Sequence, residues 1–355
     1  MKTHEKYIKR CLQLAKKGIG STRPNPSVGA VIVYDKEIIG EGFTNPYGGS
    51  HAEVNAIASV KNKALLSKAT MYVTLEPCSH FGKTPPCANL IVNHAIPNVV
   101  IGCIDTNNLV AGKGVEILKK AGCNVVVGVL EDACKKHHKR FFTVQNKKRP
   151  YIILKWAETE DGFIAPETKN EQKPVWISNP YSQQLVHKWR AEEHAILVGT
   201  NTVIADNPKL NVRSWTGNHP IRVVLDRNLR ISKEASVLDG SVETIVITNE
   251  NHAPNSKDKN LGIKYEVLKP VANNEEFGTV KQLLQILQKH KIQSVIVEGG
   301  RQTLQMFIDA GLWDEARVFT GKVNFHRGVE APKIIGEIME QYNINTDVLK
   351  IYKND

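Results

Sequence analysis

Short apolar runs rich in Val and Ile alternate with segments of helical periodicity, and they do so twice along the chain. In the first half, 28–34 and 37–40 are expected to form a hairpin, and 70–75, 98–104 and 124–127 are expected strands. Apolar positions at helical spacing, such as Ile8, Cys11, Leu12 and Ala15, predict helices over 4–17, 52–60, 86–94, 112–122 and 131–142. The segment 145–150 is polar and basic and ends in Pro150, which breaks the pattern. After it, strands are expected at 151–156, 195–199, 221–226, 243–248, 294–298 and 315–320, and helices at 179–192, 277–290 and 301–310; 249–261 has the composition of a surface loop. Strands alternating with helices require layered α/β domains with partly parallel sheets. A length of 355 residues suits two of them, divided as 1–146 and 147–355.

Composition narrows the setting. No apolar run approaches the length of a membrane span, and the N-terminus MKTHEKYIKR lacks the apolar core of a signal peptide, so a cytoplasmic protein is expected. The formal net charge is +11. A basic surface can serve nucleic acid, membrane or a phosphorylated small substrate, but the Lys and Arg are dispersed, which favours a solvated surface. Six cysteines in a long chain of this kind point away from a disulfide framework. Cys11, Cys103, Cys123 and Cys134 fall within helix or strand patterns and are expected to be small buried hydrophobes.

The remaining two cysteines belong to a motif. His51-Ala52-Glu53 opens a helix, Glu76-Pro77-Cys78 follows a strand, and Pro85-Pro86-Cys87 starts the next helix. His51, Cys78 and Cys87 are three ligands of the type zinc prefers, and a catalytic zinc keeps a fourth position for water, whose pKa it lowers towards about 7. Helix N-termini favour the two thiolates. Glu53 is two residues from the His ligand and can carry a proton from the water to a leaving amine. A structural zinc site would need a fourth ligand, for which His80 is the one nearby candidate. The His-x-Glu, Pro-Cys and Cys order is that of zinc deaminases. Nucleobase deaminases commonly separate the two cysteines by two residues; here eight residues, Ser79 to Pro86, intervene, and this insert carries His80 and Lys83, which suit a phosphorylated substrate.

The runs TLEPCSHFGKTPPC, RPNPSVGAVIV and HAE, with WIS (176–178), HAILVGTNTVIADNPKLNVR (194–213) and VIVEGG (295–300), resemble the bifunctional riboflavin-biosynthesis deaminase/reductase family over nearly the whole chain. The resemblance implies a cytidine-deaminase-like three-layer N-terminal domain and a dihydrofolate-reductase-like C-terminal domain. It implies zinc-dependent deamination of 2,5-diamino-6-ribosylamino-4(3H)-pyrimidinone 5′-phosphate, then NADPH-dependent reduction of the ribosyl group to ribityl, in a homo-oligomer. It places Asn25 and Lys83 at the deaminase substrate, with Asp105 and Asn107 as weaker candidates; a turn between prolines is the alternative for Asn25.

In the second half, a strand followed by Glu298, Gly299-Gly300 and a helix lets a pyrophosphate reach backbone N–H groups. Gly112-Lys113-Gly114 lacks the third glycine of a dinucleotide fingerprint and is set aside. The resemblance implies cofactor contacts at Trp176, Thr202, Asp206, Gly300, Arg301, Gln302, Thr303 and Leu304, and phosphoribosyl contacts at Arg190, Leu210, Arg213 and Glu298. Opening the ribosylamine needs an acid, for which Asp206 and Glu298 are candidates, and Arg190 and Arg213 suit phosphate; Lys155 is a further candidate. The alternatives are a solvated charge for Arg190 and a turn former for Asp206. Two departures stand out: Thr159-Glu160-Asp161-Gly162, preceded by Glu158, replaces the family's Ser-Leu-Asp-Gly, and Arg227 stands where a small polar residue is usual. Arg227 is accordingly expected near the cofactor's 2′-phosphate. The rival readings are a nucleic-acid deaminase with an accessory nucleotide-binding domain, and a zinc module without catalysis.

Overall fold

The computed structural model describes residues 2–79, 85–106, 111–252, 262–270 and 277–354. The chain divides into two compact units, Met1–Lys148 and Arg149–Asp355. Among the described residues no helix is long and apolar enough to cross a membrane.

The first unit runs α1 (Lys2–Lys16), β1 (Gly29–Tyr34), β2 (Glu37–Phe43), α2 (Ala52–Ser59), β3 (Thr70–Leu75), α3 (Cys87–Asn93), β4 (Asn98–Cys103), α4 (Lys113–Lys120), β5 (Asn124–Val127), α5 (Glu131–His137) and α6 (Lys139–Lys147). Its sheet has the order β2-β1-β3-β4-β5. Asp35 and Lys36 both take positive φ, the turn that matches strand twist in a tight hairpin, and β2 returns antiparallel to β1. The β3/β4 and β4/β5 pairs are parallel, so the chain leaves β3 and β4 at the same end of the sheet. β1, β3 and β4 are buried almost throughout, as strands covered on both faces must be. Cys11, Cys103 and Cys134 are buried and Cys123 is partly buried, all as free thiols.

The helix expected over 131–142 is two helices. His138 interrupts it with φ −87° and ψ 10°. Its ring is 2% exposed and pairs with Thr74 Oγ1 at 3.1 Å, a tertiary contact that local periodicity does not show.

The second unit runs β6 (Tyr151–Thr159), β7 (Phe163–Pro166), α7 (Pro180–Glu192), β8 (Ala195–Gly199), α8 (Thr200–Asp206), β9 (Ile221–Leu225), β10 (Thr244–Asn249), β11 (Ile263–Leu268), α9 (Gly278–Lys289), β12 (Ser294–Gly299), α10 (Arg301–Asp309), β13 (Glu315–Gly321), β14 (Gly328–Glu330), β15 (Glu337–Ile344) and β16 (Asp347–Lys353). The sheet order is β11-β10-β9-β8-β12-β6-β13-β16-β15, with β7 and β14 paired separately. Pairing is parallel from β11 to β13 and antiparallel for β13/β16 and β16/β15. β12 lies between β6 and β8, although it follows both in sequence. At such a reversal of strand order the crevice beyond the strand C-termini is the natural ligand site.

Six strands of this unit match the expected runs. β7, β11, β14, β15, β16 and α8 were not foreseen. β15 is exposed along most of its length and β11 is only partly buried, so neither edge strand needs an apolar run. α8 is built from TNTVIAD, whose Thr, Val, Ile and Asp residues are weak helix formers. Within 249–261, Glu250–His252 form a short 3-10 turn; 253–261 fall outside the described residues.

Candidate active sites in the two units

In the first unit, His51 is the N-cap of α2, Cys78 lies just past β3, and Cys87 is the first residue of α3. His51 Nδ1 is 3.6 Å from Cys78 Sγ and 3.4 Å from Cys87 Sγ, and the three ligand atoms lie within 4.8 Å of one another. A tetrahedral zinc with ordinary zinc–sulfur and zinc–nitrogen bonds separates S and N ligands by roughly 3.5 Å. The donor set and its spacing therefore fit zinc. Hydrogen bonding with the Cys87 side chain, then with His51 and the Cys87 N–H at 3.3 Å, outweighs burial and lowers the pKa of the Cys78 thiol, towards the thiolate a metal needs.

Glu53, in the first turn of α2, is 4% exposed. Burial, reinforced by the neighbouring Cys78, pushes its carboxyl up to about 7. A carboxyl in that range can both take and give a proton at neutral pH.

Asn25 sits in the loop between α1 and β1, where Thr22 bonds its backbone through N–H···O of 2.9 Å and Oγ1···O of 3.1 Å. That loop is tied to the one leading into His51 by Tyr47 N–H donating to Ser21 O at 3.2 Å. Asp105 is buried and its N–H reaches Glu76. Lys83, His80 and Asn107 lie outside the described residues.

In the second unit, a cavity of about 1280 Å³ opens over the ends of β6, β8 and β12. Trp176, Thr202, Asp206, Arg227, Glu298 and the run Gly300–Leu304 all line it. Gly299 has φ +131°, and a Cβ on Gly300 would stand 3.2 Å from Thr202 Oγ1, so the strand-to-helix turn packs closely on α8. Trp176 is 59% exposed on the cavity wall. Arg227 lies against the Met306 sulfur at 3.9 Å, and Arg230, also in the wall, donates to Asn201 Oδ1 at 2.8 Å. Asp206, at the end of α8, is ion-paired with Lys169.

Arg190 grips Glu298 with two hydrogen bonds, Nε–Oε1 at 3.0 Å and Nη2–Oε2 at 2.7 Å. Burial alone would raise the Glu298 pKa; the charges of Arg190 and Lys155 outweigh it and hold the carboxylate at about 2. Burial lowers the pKa of Lys155, opposed by Glu298. Arg213 feels Arg190 and bonds Asn211 Oδ1 at 2.8 Å, while its N–H donates to His187 Nδ1 at 3.2 Å. Of the four residues expected at the phosphoribosyl group, Arg190, Arg213 and Glu298 thus share one electrostatic cluster. The Leu210 side chain is instead packed among Ile196, Val198, Val203 and Val224.

Pattern reading missed Lys169 and His187. Neither sits in a motif, and only tertiary contact brings them to the site. At the first departure, Glu158 accepts from Trp156 Nε1 at 2.8 Å, and Asp161, which the run shares with the family pattern, accepts from the N–H groups of Phe325 and His326. These contacts organise the end of β6.

The RibD C-terminal domain model matches residues 150–346, and the cytidine and deoxycytidylate deaminase zinc-binding region model matches residues 1–103. The chain is 42% identical over 333 residues to the riboflavin biosynthesis protein RibD of Aquifex aeolicus, covering 93% of this chain and 87% of that protein. It is 34% identical to RibD of Escherichia coli over 348 residues, with 94% and 88% covered. Among solved structures, a diaminohydroxyphosphoribosylaminopyrimidine deaminase/5-amino-6-(5-phosphoribosylamino)uracil reductase from Thermotoga maritima superposes with a TM-score of 0.86 at 36% identity, covering 99% of both chains.

Proposed function

This chain belongs to the RibD family of bifunctional riboflavin-biosynthesis enzymes, and from that premise we infer how its two units divide the work. The first unit deaminates 2,5-diamino-6-ribosylamino-4(3H)-pyrimidinone 5′-phosphate; the second reduces the ribosyl group of the product to ribityl with NADPH. The observation that carries this reading is the convergence of His51, Cys78 and Cys87 within 4.8 Å beside the buried Glu53.

His51, Cys78 and Cys87 would hold zinc, which when bound activates water for attack at neutral pH. Glu53 takes a proton from the water and delivers it to the amine, so that oxygen replaces nitrogen on the ring carbon and ammonia leaves. Its burial keeps this transfer away from bulk water. Asn25 and Lys83 hold the substrate.

NADPH, when bound, supplies the hydride for the second step. Thr202 and the Gly300–Leu304 turn receive its phosphates, Trp176 covers it, and Arg227 meets its 2′-phosphate. Arg190, Arg213, Glu298 and the Leu210 segment hold the phosphoribosyl group. A carboxylate held at about 2 is an acceptor and not an acid, so Glu298 orients the sugar, and Asp206 with its partner Lys169 handles the proton of ring opening. A small phosphorylated pyrimidine as substrate, in preference to nucleic acid, a homo-oligomeric state and a cytoplasmic setting belong to the same reading.

Ammonia release from the pyrimidine substrate and NADPH oxidation with the deaminated product, measured on one preparation, test it. A Glu53→Gln variant should keep zinc and NADPH oxidation and lose at least about a hundredfold in ammonia release. A chelator should strip the zinc and abolish ammonia release while leaving NADPH oxidation with the deaminated product intact. Undiminished ammonia release in Glu53→Gln would remove Glu53 from the mechanism, and simultaneous loss of both activities would argue against separate sites.

A further inference from the structure

Two residues before Cys78 stands Glu76, a carboxylate that the deamination chemistry above does not use. It is 4% exposed and accepts three backbone N–H groups: Asp105 at 3.3 Å and Gly112 at 3.0 Å on Oε2, and Val115 at 3.2 Å on Oε1. Its own N–H donates to Cys103 O at 3.0 Å. Asp105 and Gly112 bracket the connection that leaves β4, and Val115 lies in the first turn of α4. One side chain thus fastens both ends of that connection to the segment carrying a metal ligand.

A second observation does not involve the carboxylate's bonds. A Cβ on Gly114 would come 2.2 Å from the Pro77 carbonyl oxygen, so α4 packs directly on the Pro77–Cys78 peptide. A third concerns what this joint displays. The hydroxyls of Ser79 and Thr106, which follow Cys78 and Asp105, are buried without a hydrogen-bond partner among the described residues. Buried hydroxyls left unpaired cost free energy that a polar ligand can restore.

We propose that Glu76 is a positioning residue for deamination. It locks the Asp105–Thr106 segment to the Cys78–Ser79 segment, so that the two strand ends form one rim towards the pyrimidine, with Ser79 and Thr106 offering it hydroxyls. The inference rests on the deaminase reading of the first unit. It predicts an effect on substrate binding, because His51 and Cys87 are held by other elements.

Two full-length, zinc-loaded variants test it. E76Q keeps the volume but turns an amide N–H2 towards backbone donors. G114A pushes α4 off the Pro77 carbonyl and crowds Glu76 Oε1, 3.1 Å from the added Cβ, while keeping the carboxylate's charge. Zinc content, deamination kinetics and reduction of the deaminated product are measured on each. The expected result is zinc and reductase kinetics like the wild type, and a deaminase KM raised about tenfold in both variants with a smaller change in kcat. An unchanged deaminase KM in zinc-loaded E76Q, even with a lowered melting temperature, would reduce Glu76 to a structural brace and overturn the proposal. Loss of zinc in parallel with activity would also overturn it, by placing the effect on the ligands. If G114A does not fold, E76Q decides alone. Absence of ammonia release from the wild type would instead defeat the deaminase reading itself.

Discussion

Replacing Arg190 with alanine should destabilise the second unit by about 2–3 kcal/mol at pH 7. The side chains of Arg190 and Glu298 are 12% and 8% exposed, so water screens their attraction little. Glu298 falls from its ordinary 4.5 to about 2 in spite of burial. At about 1.4 kcal/mol for each tenfold change in proton affinity, that corresponds to about 3 kcal/mol. Arg190 supplies the larger attractive charge, and Lys155 retains a share, so the substitution removes most of this sum and leaves a buried carboxylate half-paired. The sign follows from linkage. A carboxylate depressed in the folded state stabilises fully above the unfolded pKa of 4.5, and this contribution is lost as the pH falls towards 2. The gap between wild type and variant should therefore be constant from pH 7 to about pH 5 and narrow below it. Urea denaturation followed by tryptophan fluorescence reads the second unit selectively, because Trp156, Trp176, Trp189, Trp215 and Trp313 all lie within it. A cost under about 1 kcal/mol, the range of exposed ion pairs, would refute the reasoning.

Two further outcomes are expected. Burial holds His137 at about 4 and His138 well below its ordinary range, so the unfolded chain takes up these protons first as the pH falls through 6.5. The first unit should lose stability between pH 6.5 and about pH 4, and His138→Gln should flatten that slope in melts followed by far-UV circular dichroism; a slope equal to the wild type's would contradict it. Arg227→Ala should cut the preference for NADPH over NADH by about tenfold or more through loss of a charge-assisted contact to phosphate, and an unchanged kcat/KM ratio for the two cofactors would remove Arg227 from the 2′-phosphate site.

The His51–Cys78–Cys87 cluster was legible because its residues sit in local frames. His51 caps one helix, Cys87 begins another and Cys78 follows a strand, so the motif spacing already encoded the geometry. The inner parallel strands of both units were legible for a similar reason: strands buried on both faces must be apolar throughout. β15 and β11, exposed or half-exposed at the sheet edge, carry no such mark. Spacing could name His51, Glu53, Cys78 and Cys87 but not the raised pKa of Glu53, which is a property of the burial around it. Nor could it show that Glu76 accepts from the N–H groups of Asp105, Gly112 and Val115, that Lys169 pairs with Asp206, or that Arg190 and Glu298, more than a hundred positions apart, form one buried pair. The sequence by itself determined the layered α/β class, the twofold division and the metal chemistry, since each depends on local periodicity or short spacing. Only the tertiary structure decided the protonation states and the partners of the charged groups, because burial and pairing depend on which strands come to lie side by side.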